Sequence, residues 1–464
     1  MRIALAAGIA LLIASAPIAS AGEGNVQTEV LKVDTAKVIQ PDFLGVNAVY
    51  HGFAFMPEQT AKGMNDVDRA REFDRVSAIG LRIARTWYTP HLATGAGLDK
   101  PFDWESRYMK AFYAWLAAMK ERNVDVALQL GWWFPKHARP LDRYTEWVSE
   151  SLHQIVQKRG FTNVRYAILF TEPKYTDEYK VMARALHARL VKDGRRKLIR
   201  IVGPNQTGNG PDLAAVVRDL DDVIDIYSSH NYNFGGYDGW KKSADDMMKQ
   251  IAATGKPFWY DEYGRQDYRK RHGGEYGNYI AQAVAAFMNA GAQTSLVWLL
   301  FDQQYVWPHH DTTNGDSFFD GVHRWGFCKW PHDKVSEPTC PYPSWYAFSL
   351  MSRYLGGGKD TRVYRTIGTK KAAITAVRQP NGDWSFLIVN LTGGDFPIRT
   401  ELGSPLKKTL YRYLYVPTRV IPDEAAKLIG YSRVFKDVGA VFEDTLPRNA
   451  VAVYSTIAGQ KAEE

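Results

Sequence analysis

The chain is short of cysteine, of long apolar runs and of clustered charge, and each shortage removes a class of protein. Two cysteines in 464 residues, Cys328 and Cys340, are too few for a disulfide-built scaffold or for a structural zinc site made of thiolates. Beyond Ala21 no segment reaches the roughly 18 apolar residues of a transmembrane helix. The net charge is +8, and the 58 Lys and Arg are spread along the chain rather than gathered into a tract, so nucleic-acid binding has no electrostatic footprint. A mildly basic surface suits an acidic polymer as substrate, and equally an ordinary solvated exterior. What is present is globular usage, 45% hydrophobic and 23% charged, which excludes disorder, collagen and coiled coil. Aromatics reach 13% of residues, a richness that serves both packed cores and grooves on which sugar rings stack.

Met1 to Ala21 carries one basic residue, Arg2, an apolar run from Ile3 through Ala14, and Ala19-Ser20-Ala21 as a small-residue cleavage site. This predicts a secretory signal peptide and an exported protein, periplasmic or extracellular. In that compartment Cys328 and Cys340, in a stretch rich in Pro, Gly and Trp, are expected to form one disulfide that staples a loop.

From about Phe43 to Leu355, short apolar runs alternate with longer amphipathic stretches. The runs are Phe43 to Asn47, Leu81 to Thr86, Val124 to Leu130, Tyr166 to Thr171, Leu198 to Gly203, Val223 to Ser229, Pro257 to Asp261 and Thr294 to Leu300. Between them lie helical patterns such as Glu105 to Arg122 and Asp177 to Lys192. Eight strand and helix units in series predict an α/β fold, a (β/α)8 barrel over residues 42–355. A long connection, Phe301 to Pro343, follows the eighth strand and holds His309, His310, Asp311, Asp316 and both cysteines. From residue 356 to 464 the runs become short, β-branched or aromatic, and are punctuated by turns such as Pro380-Asn381-Gly382, which predicts a β-sandwich. Residues 22–41 also read as strand, before the barrel, and are expected to cross over and join that sandwich.

In such a barrel the working residues sit at the C-terminal ends of strands. Two glutamates stand there, Glu172 in Leu169-Phe170-Thr171-Glu172-Pro173 after the fourth strand and Glu262 in Trp259-Tyr260-Asp261-Glu262-Tyr263 after the seventh. Two carboxyl groups over one barrel mouth can protonate a leaving oxygen from one side and attack an anomeric carbon from the other. A metal-dependent barrel hydrolase built on the His309 to Asp316 loop is a rival reading, although the loop lacks a defined ligand spacing.

On these residues the chain resembles the retaining glycoside hydrolases of clan A. It resembles family 39 most, through Gly45-Val46-Asn47 at the first strand, Ser228-x-His230-x-Tyr232 at the sixth, and a following sandwich with an Asn390 strand and a late Leu446-Pro447. The resemblance implies Glu172 as general acid/base and Glu262 as nucleophile, a carbohydrate substrate and no cofactor. It further implies that Arg85, His230 and Tyr232 orient Glu262 and that Trp298 floors the pocket. Glu172 must hold a proton and so is expected in apolar surroundings or near another anion; Glu262 needs donors around it. Arg82 is the rival to Arg85, but a place nearer mid-strand suits a structural role. Asp261 is expected on the face opposite Glu262. Trp132 and Trp133 are expected to line a subsite and His51 to stand at the rim. Where the clan has Asn before the acid/base, this chain has Thr171, so Asn205 is expected to read the sugar 2-position in its place, or the substrate to carry an unusual substituent there. The same departure leaves room for a secreted carbohydrate-binding protein on an inert barrel.

Overall fold

The structure, a computed structural model, describes residues 27–55, 64–95, 97–131, 134–207, 212–232, 235–267, 269–304, 322–331, 341–418 and 428–462. Residues 1–26 with the expected leader, Trp132, Trp133, Cys340 and the loop residues His309, His310, Asp311 and Asp316 lie outside them.

The first strand, β1 (Glu29–Gln40), leads away from the barrel, and the next eight build it. These are β2 (Val46–Val49), β3 (Ile83–Tyr88), β4 (Asp125–Leu130), β5 (Val164–Ile168), β6 (Arg200–Gln206), β7 (Ile226–Tyr232), β8 (Phe258–Gly264) and β9 (Thr294–Val297), all parallel, with β9 closing onto β2. Each matches an apolar run of the sequence, because parallel strands covered by helices are buried on both faces. Arg82 precedes β3 and is exposed, so it is not the mid-strand residue that its spacing suggested; Arg85 is, and it points inward.

Side chains close the barrel below the mouth. Ile83, Ala127, Tyr166, Ile168, Val202, Ile226, Trp259 and Leu296 form one interior cluster, with Tyr166 and Trp259 edge to face at 4.6 Å. Each large member contributes about 1.5–3 kcal/mol through burial, and the plug makes the interior a floor rather than a pore. Asn47 laces the closure: its Oδ1 accepts from the Ile83 amide at 2.8 Å, and its Nδ2 donates to Thr294 Oγ1 at 2.9 Å. Gly45 beside it has φ +97°, and a Cβ there would meet the Gly356 carbonyl oxygen at 2.7 Å, which reserves the position for glycine.

The outer helices begin and end on local chemistry. For Asp66–Ile79, Asn65 Oδ1 accepts from the Val67 and Asp68 amides, Asp68 accepts from the Asn65 amide, and Gly80 ends the helix left-handed. The helix Leu213–Leu220 has no counterpart in the sequence reading, since two turns are too few to establish a period.

After a two-residue ladder, β10 (Gln303–Gln304) with β11 (Val322–His323), and the helix Pro343–Leu355, the chain enters its second part. Strands β12 (Arg362–Ile367), β13 (Ala372–Arg378), β14 (Trp384–Asn390), β15 (Phe396–Leu402), β16 (Leu410–Tyr415), β17 (Tyr431–Phe435), β18 (Val441–Leu446) and β19 (Val451–Ser455) form one sheet with β1. Its order is β17-β16-β19-β14-β13-β12-β1-β15-β18, with β1 antiparallel to β12 and parallel to β15. The sandwich is therefore a single sheet bent over on itself. Its two edges meet where Phe435 of β17 packs on Phe442 of β18 at 5.9 Å and Arg433 bonds Asp444 at 2.5 Å. Asn278, on the barrel helix Glu275–Ala290, ties the parts together by donating to the Asn390 and Asn449 carbonyls at 2.9 and 3.0 Å.

Candidate active site

Three departures from regular structure lift the polar side chains to the barrel mouth. The β7 to β8 register runs from Ser229↔Tyr260 to His230↔Glu262, and the β8 to β9 register from Tyr260↔Ser295 to Tyr263↔Val297. Both ladders skip one residue of β8, which is a bulge at Asp261–Glu262, a feature concentrated at barrel rims and beside active sites. A second bulge in β6 takes up Asn205, at φ 60°. The third is the turn after β5, where Phe170 and Glu172 adopt φ 61° and 46°, conformations that cost a side-chain-bearing residue on the order of 1–3 kcal/mol and gather at functional sites.

Glu262 is nearly buried, its side chain 7% exposed, and receives two donors: Arg85 Nη1 at 2.8 Å to Oε2, and the Tyr232 hydroxyl to Oε1. Arg85 is fully buried. Its Nη1 also donates to the Asp261 carbonyl at 2.7 Å, while Nε at 3.0 Å and Nη2 both donate to Gln129 Oε1. The sequence reading missed Gln129, although a polar residue inside the apolar run Leu128-Gln129-Leu130 is the signal that would have found it.

Glu172 is the open partner, its side chain 37% exposed. His230 Nδ1 donates to its Oε1 at 2.8 Å, and its own amide donates to the Asn205 carbonyl at 3.1 Å. The expected neighbouring anion is present, with Glu262 within 4.8 Å, but the balance of influences does not favour a proton on Glu172. Burial pushes its carboxyl up, but the hydrogen bond and charge of His230, the charge of Arg85 and the hydroxyl of Thr207 outweigh burial and bring it below the ordinary carboxylate range.

Asn205 is also corrected. It is fully buried and its Nδ2 donates to the Phe170 carbonyl, so it braces the turn that carries Glu172 instead of facing a sugar. Thr171 Oγ1 is buried with no hydrogen-bond partner among the described residues. Asp261 is not on the opposite face. The bulge turns it inward beneath Glu262, with Oδ1 3.8 Å from His230 Nε2. His51 is buried rather than at the rim: its Nδ1 accepts from the Trp87 amide at 3.1 Å, and its ring stacks on Trp87 at 4.2 Å and meets Trp298 edge-on at 5.5 Å. Trp87, another residue the sequence reading did not single out, lies 5.4 Å from Trp298, which in turn meets Trp325. Arg271 clamps this aromatic wall by donating to the Trp298 and Trp325 carbonyls. Cys328 is buried; its expected partner Cys340 and the subsite tryptophan Trp132 are outside the described residues.

Glu172, His230 and Glu262 bring ligand-type atoms within 4.8 Å of one another. A cation there would compete with the Arg85 guanidinium already seated on Glu262, so the donor set fits an ion-paired acid pair better than a metal centre. The Glu172 and Glu262 carboxyl groups therefore bring an oxygen each to within 4.8 Å at the barrel mouth.

No protein-family model and no curated protein matches the chain. Among solved structures, a monomeric β-xylosidase from Caulobacter crescentus is similar at a TM-score of 0.65 and 14% identity over 92% of this chain and 99% of that one. A glycoside hydrolase family 30 subfamily 8 xylanase from Clostridium acetobutylicum gives 0.62 and 13% over 92% and 98%, and an endo-β1,6-glucanase gives 0.62 and 12% over 94% and 95%. At these identities the likeness is one of fold.

Proposed function

We propose that this chain is a retaining glycoside hydrolase that cleaves a poly- or oligosaccharide, exported by its leader and working without a cofactor. The observation that carries the reading is the pair of carboxyl groups with oxygens within 4.8 Å, one clamped by Arg85 and Tyr232 and the other open to the mouth. Glu262 attacks the anomeric carbon as Glu172 delivers a proton to the departing oxygen. Water, deprotonated by Glu172, then displaces Glu262 from the glycosyl ester. The fold supports this reading, since the neighbours include a xylosidase, a xylanase and a glucanase; their different sugars also show that the fold leaves the substrate open.

The test is stereochemical. A panel of neutral, acidic and amino-sugar glycans, followed by NMR from the first seconds of reaction, is expected to show a first product with the anomeric configuration of the bond cleaved. An inverted first product would sink the covalent mechanism. Export has its own readout: the secreted protein is expected to have the mass of a chain starting at Gly22, and retention of the leader on a cytoplasmic product would count against it. No helix among the described residues is long and apolar enough to cross a membrane.

A further inference from the structure

Strand β14 shows its two faces to different surroundings, the alternation that a strand imposes. Leu387 and Val389 pack into the core shared with the barrel, while Trp384, Phe386 and Ile388 face the cluster enclosed by the bent sheet. At the Trp384 end that enclosure is not filled. A cavity of about 260 Å³ opens there, and its lining includes Trp384, Phe386, Arg378, Thr35 of β1, and Ser404 and Lys408 from the segment after β15. It lies on the sheet face turned away from the barrel, apart from the site described above.

The lining is chemically selective. Trp384 is half-buried, and its ring is fixed by Tyr364 at 4.8 Å and by Phe386, parallel to it within 6° at 5.9 Å. Arg378 stands directly opposite it in the β13 to β14 ladder, with the guanidinium carbon 5.8 Å from the indole centroid. Charge is one-sided, since among the described residues two cations and no carboxylate line the cavity. Lys408 is already engaged, its Nζ donating to the Gly382 carbonyl at 2.7 Å and standing 3.6 Å from Asp383 Oδ1. Arg378 is exposed, and its guanidinium has no hydrogen-bond or ion-pair partner among the described residues. Thr35 Oγ1 and Ser404 Oγ add two hydroxyls 3.4 Å apart, each able to donate and to accept.

We propose that this cavity binds one carboxylate-bearing sugar unit, a uronic acid of an anionic glycan. A flat indole held in place by its neighbours offers its face to the C–H side of a sugar ring. The guanidinium beside it presents the planar fork that matches a carboxylate with two parallel hydrogen bonds. The Thr35 and Ser404 hydroxyls meet those of the ring. Size agrees, because the cavity is below the roughly 300–1,000 Å³ of sites for drug-sized ligands and so holds one ring rather than a stretch of chain. A neutral sugar leaves the guanidinium unused and a bare carboxylate leaves the indole uncovered, so the two side chains together select a ligand that has both features. The site goes beyond the glycosidase reading, since it needs no chemistry at the barrel mouth.

The experiment is an NMR titration of the mature, folded protein labelled at the tryptophan indole nitrogens, with the Trp384 signal identified by its loss in Trp384→Phe. Sodium D-glucuronate is expected to shift that signal saturably, with a Kd of about millimolar for a ligand of this size, and to bind less tightly as salt is added. D-Glucose and sodium acetate offer the ring and the carboxylate separately, and each is expected to bind about tenfold more weakly or worse. Arg378→Gln changes an exposed side chain and is expected to weaken glucuronate by about ten- to a hundredfold, the scale of a hydrogen bond to a charged group. A Trp384 signal that glucuronate does not move overturns the proposal. So does glucose or acetate that binds as well as glucuronate, or an Arg378→Gln protein that binds it as tightly as the wild type. Should Trp384→Phe not fold, calorimetry of glucuronate on the wild type and Arg378→Gln decides, and equal affinities overturn the site. Turnover enters none of these measurements, so the two readings fail separately. A protein that cleaves no glycan can still hold this site, and an active glycosidase can lack it.

Discussion

Glu262→Gln is expected to lower kcat on the cleaved glycan by on the order of 10⁴-fold or more, the scale seen when a covalent nucleophile is removed. The amide keeps the volume of the side chain and an oxygen for Arg85, so circular dichroism is expected to be unchanged; what is lost is the ability to form an ester with the anomeric carbon. A product profile from wild type and variant in parallel checks this. Substantial turnover by the variant would move the nucleophile elsewhere. Products from neither protein, over a broad glycan panel, would turn weight to a binding protein on an inert barrel.

Arg85→Met is expected to lower folding stability by about 3–5 kcal/mol, the cost of breaking a buried ion pair from one side. The guanidinium is fully buried, and its removal strands three acceptors together: Glu262 Oε2, the Asp261 carbonyl and Gln129 Oε1. Arg85→Lys is expected to fall between, because an ammonium restores the charge but lacks the fork that reaches Glu262 and Gln129 from one plane. Thermal or denaturant unfolding of the three proteins decides it. A midpoint for Arg85→Met equal to that of the wild type would show that the pair is not what holds this layer of the barrel. The variant is also expected to lose activity out of proportion to its stability, since Glu262 keeps only the Tyr232 donor.

The barrel was legible because covered parallel strands have to be apolar on both faces, and runs such as Val124 to Leu130 and Thr294 to Leu300 announce themselves. Even the crossing of the first strand into the terminal sheet followed from its place before β2. Glu172 and Glu262 could be named from strand order, Arg85, His230 and Tyr232 from the family resemblance, and the structure brings all five together. Orientation was harder. The same period-two rule that found β8 put Asp261 on the wrong face, because a bulge inserts one residue and nothing in Trp259-Tyr260-Asp261-Glu262 marks where the alternation breaks. Asn205 was misread for a related reason: its bulge buries the side chain with Nδ2 on the Phe170 carbonyl.

By itself, then, the sequence determined which strands form, in what order they close, and which acids reach the mouth, since these follow from local apolar periodicity and from the geometry of parallel strands. Only the tertiary structure decided how those acids are charged and supported. The proton balance among Glu172, His230, Asp261 and Arg85 depends on separations of 2.8 to 3.8 Å between strands far apart in the chain, and electrostatic interaction in a buried site changes steeply over such distances.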